Sequence, residues 1–166
     1  ASRKEVNLQQ LATQVEIDLG ELILAQDAQL EIGELPTIHA DADQMLQVLM
    51  NVLSNAVQYS RPGVSPSVKV SSRLLEVNGI EMCQIEVEDN GTGFDIENLD
   101  MVFAPCKRLI SDDKYEGSGI GMGTVKKIVE GHAGEISAQS IVGEGSTFVI
   151  TLPLRCKLVN VPVLSS

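Results

Sequence analysis

Five carboxamides stand in one row: Gln44, Gln47, Asn51, Asn55 and Gln58. Steps of 3, 4, 4 and 3 residues put them on one stripe of a helix read over Ala42 to Ser60. The opposite side carries Met45, Leu46, Leu49, Val52, Leu53, Ala56 and Val57, a wide apolar arc. A surface helix ordinarily turns Glu and Lys to water. Neutral amides can instead donate to phosphate oxygens, and their carbonyl oxygens can ligate a hard cation such as Mg2+. Taken alone, the stripe fits a solvated or core-lining polar face equally well.

A second group is Asp89-Asn90-Gly91-Thr92-Gly93. Cys83, Ile85 and Val87 alternate on the core face of a strand, and Asp89 continues that inward register. A carboxylate there is costly unless it accepts hydrogen bonds. Ligand can approach closely over the two glycines that follow. Such a carboxylate can accept from an exocyclic amino group. That selects adenine over guanine, which has a carbonyl at the equivalent ring position.

The third group is Gly117-Ser118-Gly119-Ile120-Gly121-Met122-Gly123, ahead of a helix read over Thr124 to Gly131. Glycines that turn several N–H groups toward one anion, next to a helix N-terminus, suit phosphate. A Walker A loop is excluded because no Lys-Ser/Thr pair follows. A dinucleotide fingerprint would need glycine where Thr124 stands. A flexible hinge is the remaining alternative.

The elements that must position these groups are legible in outline. Helical spacing runs from Val6 to Gly20, with Asn7 as cap, and Glu21 to Ala25 extend it or form a second short turn. Ala28 to Gly33 alternates as a short strand, and Leu35-Pro36-Thr37 reads as a loop. Asp41 is placed to cap the amide-striped helix, which Arg61-Pro62-Gly63 ends. Ser67 to Glu76 and the strand after Asn78-Gly79 form a hairpin. Glu135 to Ile141 and Thr147 to Leu152 form another, across Gly143-Glu144-Gly145. These elements predict an α+β fold, a two-layer sandwich of a mixed, largely antiparallel sheet with about three helices on one face.

Composition narrows the function. A chain of 166 residues with 43% hydrophobic content predicts one domain with a real core. The net charge of −11 argues against nucleic acid and against direct contact with anionic membranes. A polyanionic ligand therefore needs a metal ion or backbone N–H groups. Cys83, Cys106 and Cys156 form no CxxC pair, which reads as a reduced, cytoplasmic protein.

With these residues in place, the chain resembles the catalytic ATP-binding domain of sensor histidine kinases, in the superfamily that includes gyrase, Hsp90 and MutL. The matching blocks are Gln47 to Ala56 (N box), Asp89 to Phe94 (G1), Val102 to Pro105 (F box), Gly117 to Met122 (G2) and Gly143 to Phe148 (G3), in family order. Lys107-Arg108-Leu109 and a short lid are similar to phytochrome-type sensor kinases.

The resemblance implies a Bergerat-type sandwich over residues 1–154, with 155–166 a tail or linker. It implies ATP and Mg2+ as ligands, with Asn51 on the metal, Asn55 near the phosphates and Asp89 on adenine. Gly91 and Gly93 shape the adenine pocket, and a lid runs from about Glu97 to Ser118. The implied nucleotide-binding set extends to Gln58, Tyr59, Phe94, Lys107, Arg108, Gly117, Ser118, Gly119, Ile120, Gly121, Met122 and Thr147. Gln47 and Asn51 are the residues expected at the reacting phosphoryl group.

Three departures bear on this reading. Gln58 stands where kinases of the family usually place Lys. Cys106 replaces the common F-box aromatic, and Gly123-Thr124 replace the usual helix start. Lys107 or Arg108 is placed to compensate for the missing cation. Neither His39 nor His132 sits in a His-Glu/Asp motif on a helix, so both read as structural. The acceptor histidine is therefore expected on a dimerisation domain upstream of residue 1, and through it a response regulator is the expected partner. The isolated domain is expected to be a monomer. The full-length protein is expected to be a homodimer, membrane-anchored or not. Two other classes compete: an ATPase of the gyrase or Hsp90 kind, and a non-catalytic adenine-nucleotide-binding module. Such ATPases place Glu where Gln47 stands, and Gln cannot act as a general base.

Overall fold

Asn7 closes one element and opens the next. Residues Lys4–Asn7 form strand β1, and the Asn7 side chain accepts from the Gln10 amide at 3.1 Å to cap α1, Leu8–Asp18. The structure, a computed structural model, describes residues 3–58, 61–93, 103 and 118–155. A second short helix, α2 (Gly20–Gln26), stops where Asp27 turns left-handed at φ 55°. Then follow β2 (Gln29–Ile32), β3 (Thr37–Ala40), α3 (Ala42–Gln58), β4 (Ser67–Val77) and β5 (Ile80–Asp89). The last described elements are α4 (Ser118–Gly131), β6 (Glu135–Ile141) and β7 (Gly145–Pro153).

Five strands make one sheet in the order β2-β4-β5-β7-β6. β2 runs parallel to β4, and every other neighbour is antiparallel. Asn78 and Gly79 both take positive φ, 52° and 79°, as a tight hairpin of this hand requires, and so fix Val77 opposite Ile80. Strand alternation then sets the faces. Val68, Val70, Cys83, Ile85, Val87, Phe148, Ile150 and Leu152 are all buried on one side. Helices α3 and α4 supply the facing layer through Met45, Leu49, Val52, Leu53 and Val57, and through Met122, Val125 and Val129. Each such side chain contributes about 1.5–3 kcal/mol when fully buried. The Cys83 thiol is part of this core, and burial pushes its pKa up to about 11, so it packs as a small hydrophobe.

The architecture is the expected α+β sandwich. Two strands were not expected. β1 and β3 pair antiparallel, Val6 opposite Ile38, where the sequence reads Val6 as a helix start and Thr37 as the end of a loop. Four residues give alternation too little length to stand out. The last helix also starts earlier than read, at Ser118 rather than Thr124. Its first turns hold Gly119, Gly121 and Gly123, each costing about 1 kcal/mol relative to Ala in a helix. Propensity hides a helix that packing of Met122 and Val125 imposes.

Candidate functional site

Asp41 fixes the start of α3. Its carboxylate accepts from the Gln44 amide at 3.0 Å, and its carbonyl accepts from Met45 N at 2.9 Å. From that start the stripe is carried as its spacing predicts. Met45, Val48, Leu49, Val52, Leu53, Ala56 and Val57 are buried, Gln47 and Gln58 are exposed, and Asn51 and Asn55 are half-buried between them. Val48 replaces Leu46 in the buried set, and Leu46 is only partly covered. Asn51 and Asn55 thus lie at the seam between core and solvent, where a carboxamide is partly desolvated and needs a polar partner.

The turn after β5 holds the one carboxylate with a raised pKa among the described groups. Asp89 lies opposite Val68 on one side and Ser146 on the other. Its carboxyl pKa is pushed up to about 6, mainly by burial, and Glu88 adds to the rise. The Gly91 amide, donating to Oδ1 at 2.8 Å, and the Ser146 backbone amide pull it back. A half-desolvated carboxylate held by two amides keeps acceptor capacity for a further donor.

Two glycines make the turn possible. Gly93 has φ 69°, and a side chain there would strike the Ile141 carbonyl. Gly145 has φ 136°, and a side chain would strike the carbonyl of Asp89 itself. The β6–β7 turn therefore lies directly against the Asp89 turn, and Gly143 N donates to Thr92 O at 2.7 Å across the seam. Asn90 ties the same turn to the segment before β4: its Oδ1 accepts from Ser67 N at 2.8 Å, and its Nδ2 donates to Ser65 O at 3.2 Å. Arg61 adds two more ties, from Nε to Asn90 O and from Nη1 to Gly143 O, both 2.9 Å.

Phe103 is buried edge-on against Phe148, with ring centroids 6.0 Å apart and planes at 87°. Lys126 of α4 lies 5.9 Å from its ring centre. The F-box Phe is thus seated between β7 and α4.

The register corrects one residue. Thr147 lies opposite Glu88, and parity puts its side chain on the outer face of the sheet, away from Asp89. The neighbour that shares the inner face with Asp89 is Ser146, buried at 8% exposure, with its Oγ 2.9 Å from Ser140 Oγ. Ser146 was missed because both residues carry a hydroxyl. Counting back by twos from the buried-type residue Phe148 would have found it. Asn51, Asn55, Asp89, Gly91 and Gly93 lie on described residues. Tyr59, Phe94, Lys107, Arg108 and Gly117 lie outside them, as do the side chains of Ser118 to Gly121 and most of the expected lid.

Neither histidine stands in this site. His132 is buried and bonded on both ring nitrogens. His39 is on β3, and its Nδ1 is buried without a hydrogen-bond partner among the described residues. No group of three His, Cys, Asp or Glu residues able to hold a metal occurs among the described residues.

A family model described as "Histidine kinase-, DNA gyrase B-, and HSP90-like ATPase" matches residues 40–156. The chain is 32% identical over 148 residues to the phytochrome-like protein Cph1 of Synechocystis, covering 89% of this chain and 19% of that protein. It is 38% identical over 122 residues to the adaptive-response sensory kinase SasA of Synechococcus elongatus, covering 74% of this chain and 30% of that protein. It therefore spans less than a third of the length of each of these two relatives. The fold superposes on the nucleotide-free catalytic domain of histidine kinase ThkA with a TM-score of 0.78 at 22% identity, over 95% of this chain and 99% of that one. The same kinase, solved in complex with the response regulator protein TrrA, matches with a TM-score of 0.69 over 92% of this chain and 42% of that one.

Proposed function

Since the chain belongs to the histidine kinase-, DNA gyrase B- and HSP90-like ATPase family, we propose that it binds Mg-ATP and transfers the γ-phosphoryl group to a histidine on a separate dimerisation domain. The observation that carries the nucleotide reading is Asp89, an inward carboxylate held by the Gly91 amide on a glycine turn. An adenine amino group fits its remaining acceptor capacity, and a guanine carbonyl in that place would be repelled. Gly91, whose amide holds Asp89, and Gly93, which lets the β6–β7 turn close against this one, shape the turn that receives the purine. Asn55 donates to phosphate, and the N-terminus of α4 presents backbone N–H groups to the same anion.

Asn51 suits Mg2+ as one neutral oxygen ligand. Mg2+ keeps several waters and takes phosphate oxygens as ligands, so one neutral protein oxygen is enough for a nucleotide-borne ion. When bound, the ion neutralises phosphate charge. This chain's own contribution is to hold the nucleotide and orient the γ-phosphoryl group, which is most of what phosphoryl transfer asks of a protein. Gln47 is exposed one turn before Asn51; beside the reacting group it would be unable to take a proton from water. Transfer to an acceptor is therefore favoured over hydrolysis. Similarity to the adaptive-response sensory kinase SasA supports the same choice.

The domain is proposed to end at Leu154. Its amide donates to Glu81 O at 3.0 Å and its carbonyl accepts from His39 N at 2.9 Å, the last such ties before residues 155–166. An upstream acceptor domain, and through it a response regulator, are the proposed partners. ThkA, whose fold this chain shares, was solved with such a regulator. No helix among the described residues is long and apolar enough to cross a membrane.

The test is to mix the chain with a separately expressed acceptor-histidine domain, labelled ATP and Mg2+. Acid-labile, base-stable phosphate should form on the acceptor domain and none on this chain. Rapid phosphate release without transfer would support the ATPase reading, and nucleotide binding with neither activity would support a binding module. Label on His39 or His132 would refute the proposed division of labour.

A further inference from the structure

Arg61 joins three segments that the sequence places far apart. It stands just past α3, the helix of the amide stripe. Its Nε donates to the carbonyl of Asn90 and its Nη1 to that of Gly143, 29 and 82 residues away, each at 2.9 Å. The first carbonyl belongs to the turn that carries Asp89, Gly91 and Gly93. The second belongs to the β6–β7 turn, which leaves no room for a side chain on Gly93 or Gly145. Two donors fixed in one planar guanidinium can hold two carbonyls at a set separation; a lysine ammonium cannot. Among the described residues Arg61 has no carboxylate partner in an ion pair, so its hydrogen bonding is directed to these two turns.

We infer that Arg61 is the positioning residue of the purine half of the nucleotide site, holding the Asp89–Gly93 turn at a set distance from both α3 and the β6–β7 turn. The inference rests on the nucleotide-binding reading above. It assigns Arg61 a role different from that of the missing N-box lysine. A lysine at position 58 would act on phosphate charge, whereas Arg61 acts on the turn that receives the base. The consequence is specific. Loss of Arg61 should weaken every ligand that carries adenine, whether or not it carries phosphate. It should also narrow the preference for adenine over guanine.

The experiment is a titration of ADP, adenosine and GDP by calorimetry against the parent, Arg61→Ala and Arg61→Lys. The parent binds ADP in preference to GDP. Arg61→Ala loses about tenfold in affinity for ADP and for adenosine alike, as expected for the loss of two hydrogen bonds from one group, and its ADP-to-GDP ratio shrinks. Arg61→Lys keeps the charge but not the fork, and falls between the two. Should Arg61→Ala fail to give a cooperative melting transition, Arg61→Lys alone decides by the same comparison. Loss for ADP with adenosine unchanged would make Arg61 a phosphate cation and overturn the inference. Unchanged affinity for both ligands in a variant that has lost the contacts would also overturn it, with the nucleotide reading intact. A parent that binds no ADP would overturn both.

Discussion

The imidazole of His132, at the end of α4, accepts the backbone N–H of Asp41 on its Nε2 at 3.2 Å. Its Nδ1 lies 2.9 Å from Ile128 O. Since Nε2 must be the acceptor, the proton sits on Nδ1, and the ring is neutral with both nitrogens used. Asp41 caps the amide-striped helix. The contact therefore sets the end of α4 against the start of α3.

This predicts a pH dependence of stability. Burial holds the His132 pKa below its ordinary value of 6.5, and nearby Arg3, which donates to Gly131 O at 3.0 Å, lowers it further; the hydrogen bond to Ile128 O and, less, Asp41 oppose. A group whose folded pKa is depressed in this way stabilises the fold fully above the unfolded pKa, about 6.5, and loses that contribution as pH falls below it. His132→Ala should cost about 1–3 kcal/mol at pH 8. Denaturant unfolding at pH 8 and pH 5.5 checks it: the gap between parent and variant should shrink at the lower pH.

Asp89→Asn should separate stability from binding. The folded pKa of about 6 exceeds the ordinary carboxyl value of 3.8, so folding takes up a proton between those values. The ionised group opposes folding as pH rises through that window. Without nucleotide, the variant should be at least as stable as the parent at pH 8, with any advantage vanishing below about pH 4. Its affinity for ADP should fall by about 2 kcal/mol or more, because an amide NH2 can face the adenine amino group. Melting curves with and without ADP read both effects, and retained ADP affinity would remove Asp89 from the site.

Ser146→Ala and Thr147→Ala should differ. Ser146 shares the inner face with Asp89, and its hydroxyl bonds Ser140; Thr147 points to the other face. Ser146→Ala should cost about 1 kcal/mol in ADP affinity or in stability. Thr147→Ala should leave ADP affinity unchanged within error. Calorimetry on the pair decides, and the reverse order would mean the strand register is not as described.

Gly145→Ala and Gly143→Ala make a second matched pair. Both positions have positive φ, but a side chain on Gly145 meets the Asp89 carbonyl, and one on Gly143 meets open space. Gly143→Ala should cost about 1–2 kcal/mol of backbone strain. Gly145→Ala should cost more than that and displace the Asp89 turn. Urea midpoints rank the two, and equal midpoints would count against the close approach of the turns.

Much of the site was legible because it rests on local rules. The amide stripe needs only helical periodicity, and Asp41 capped the helix as its residue type and position suggested. The Asn78-Gly79 hairpin followed from a dipeptide that favours that turn. The inward register of Asp89 followed from parity along β5, and the same parity would have separated Ser146 from Thr147. Family motifs supplied the order of the blocks.

Other features depend on contacts between residues far apart in the chain, which no local pattern records. Strands β1 and β3 are too short to show their own periodicity and exist because they pair with each other. The first turns of α4 are helical against the preference of their glycines, because Met122 and Val125 pack into the core. The fork of Arg61 across two turns could not be read from Arg-Pro-Gly, which locally means only that a helix stops. The same is true of the His132–Asp41 contact, 91 residues apart. The sequence by itself determined which residue types could meet a nucleotide, because spacing along a helix or strand fixes the face on which each side chain lies. Only the tertiary structure decided how the turns carrying those residues are held together, because hydrogen-bond partners across the chain are chosen by packing of the whole.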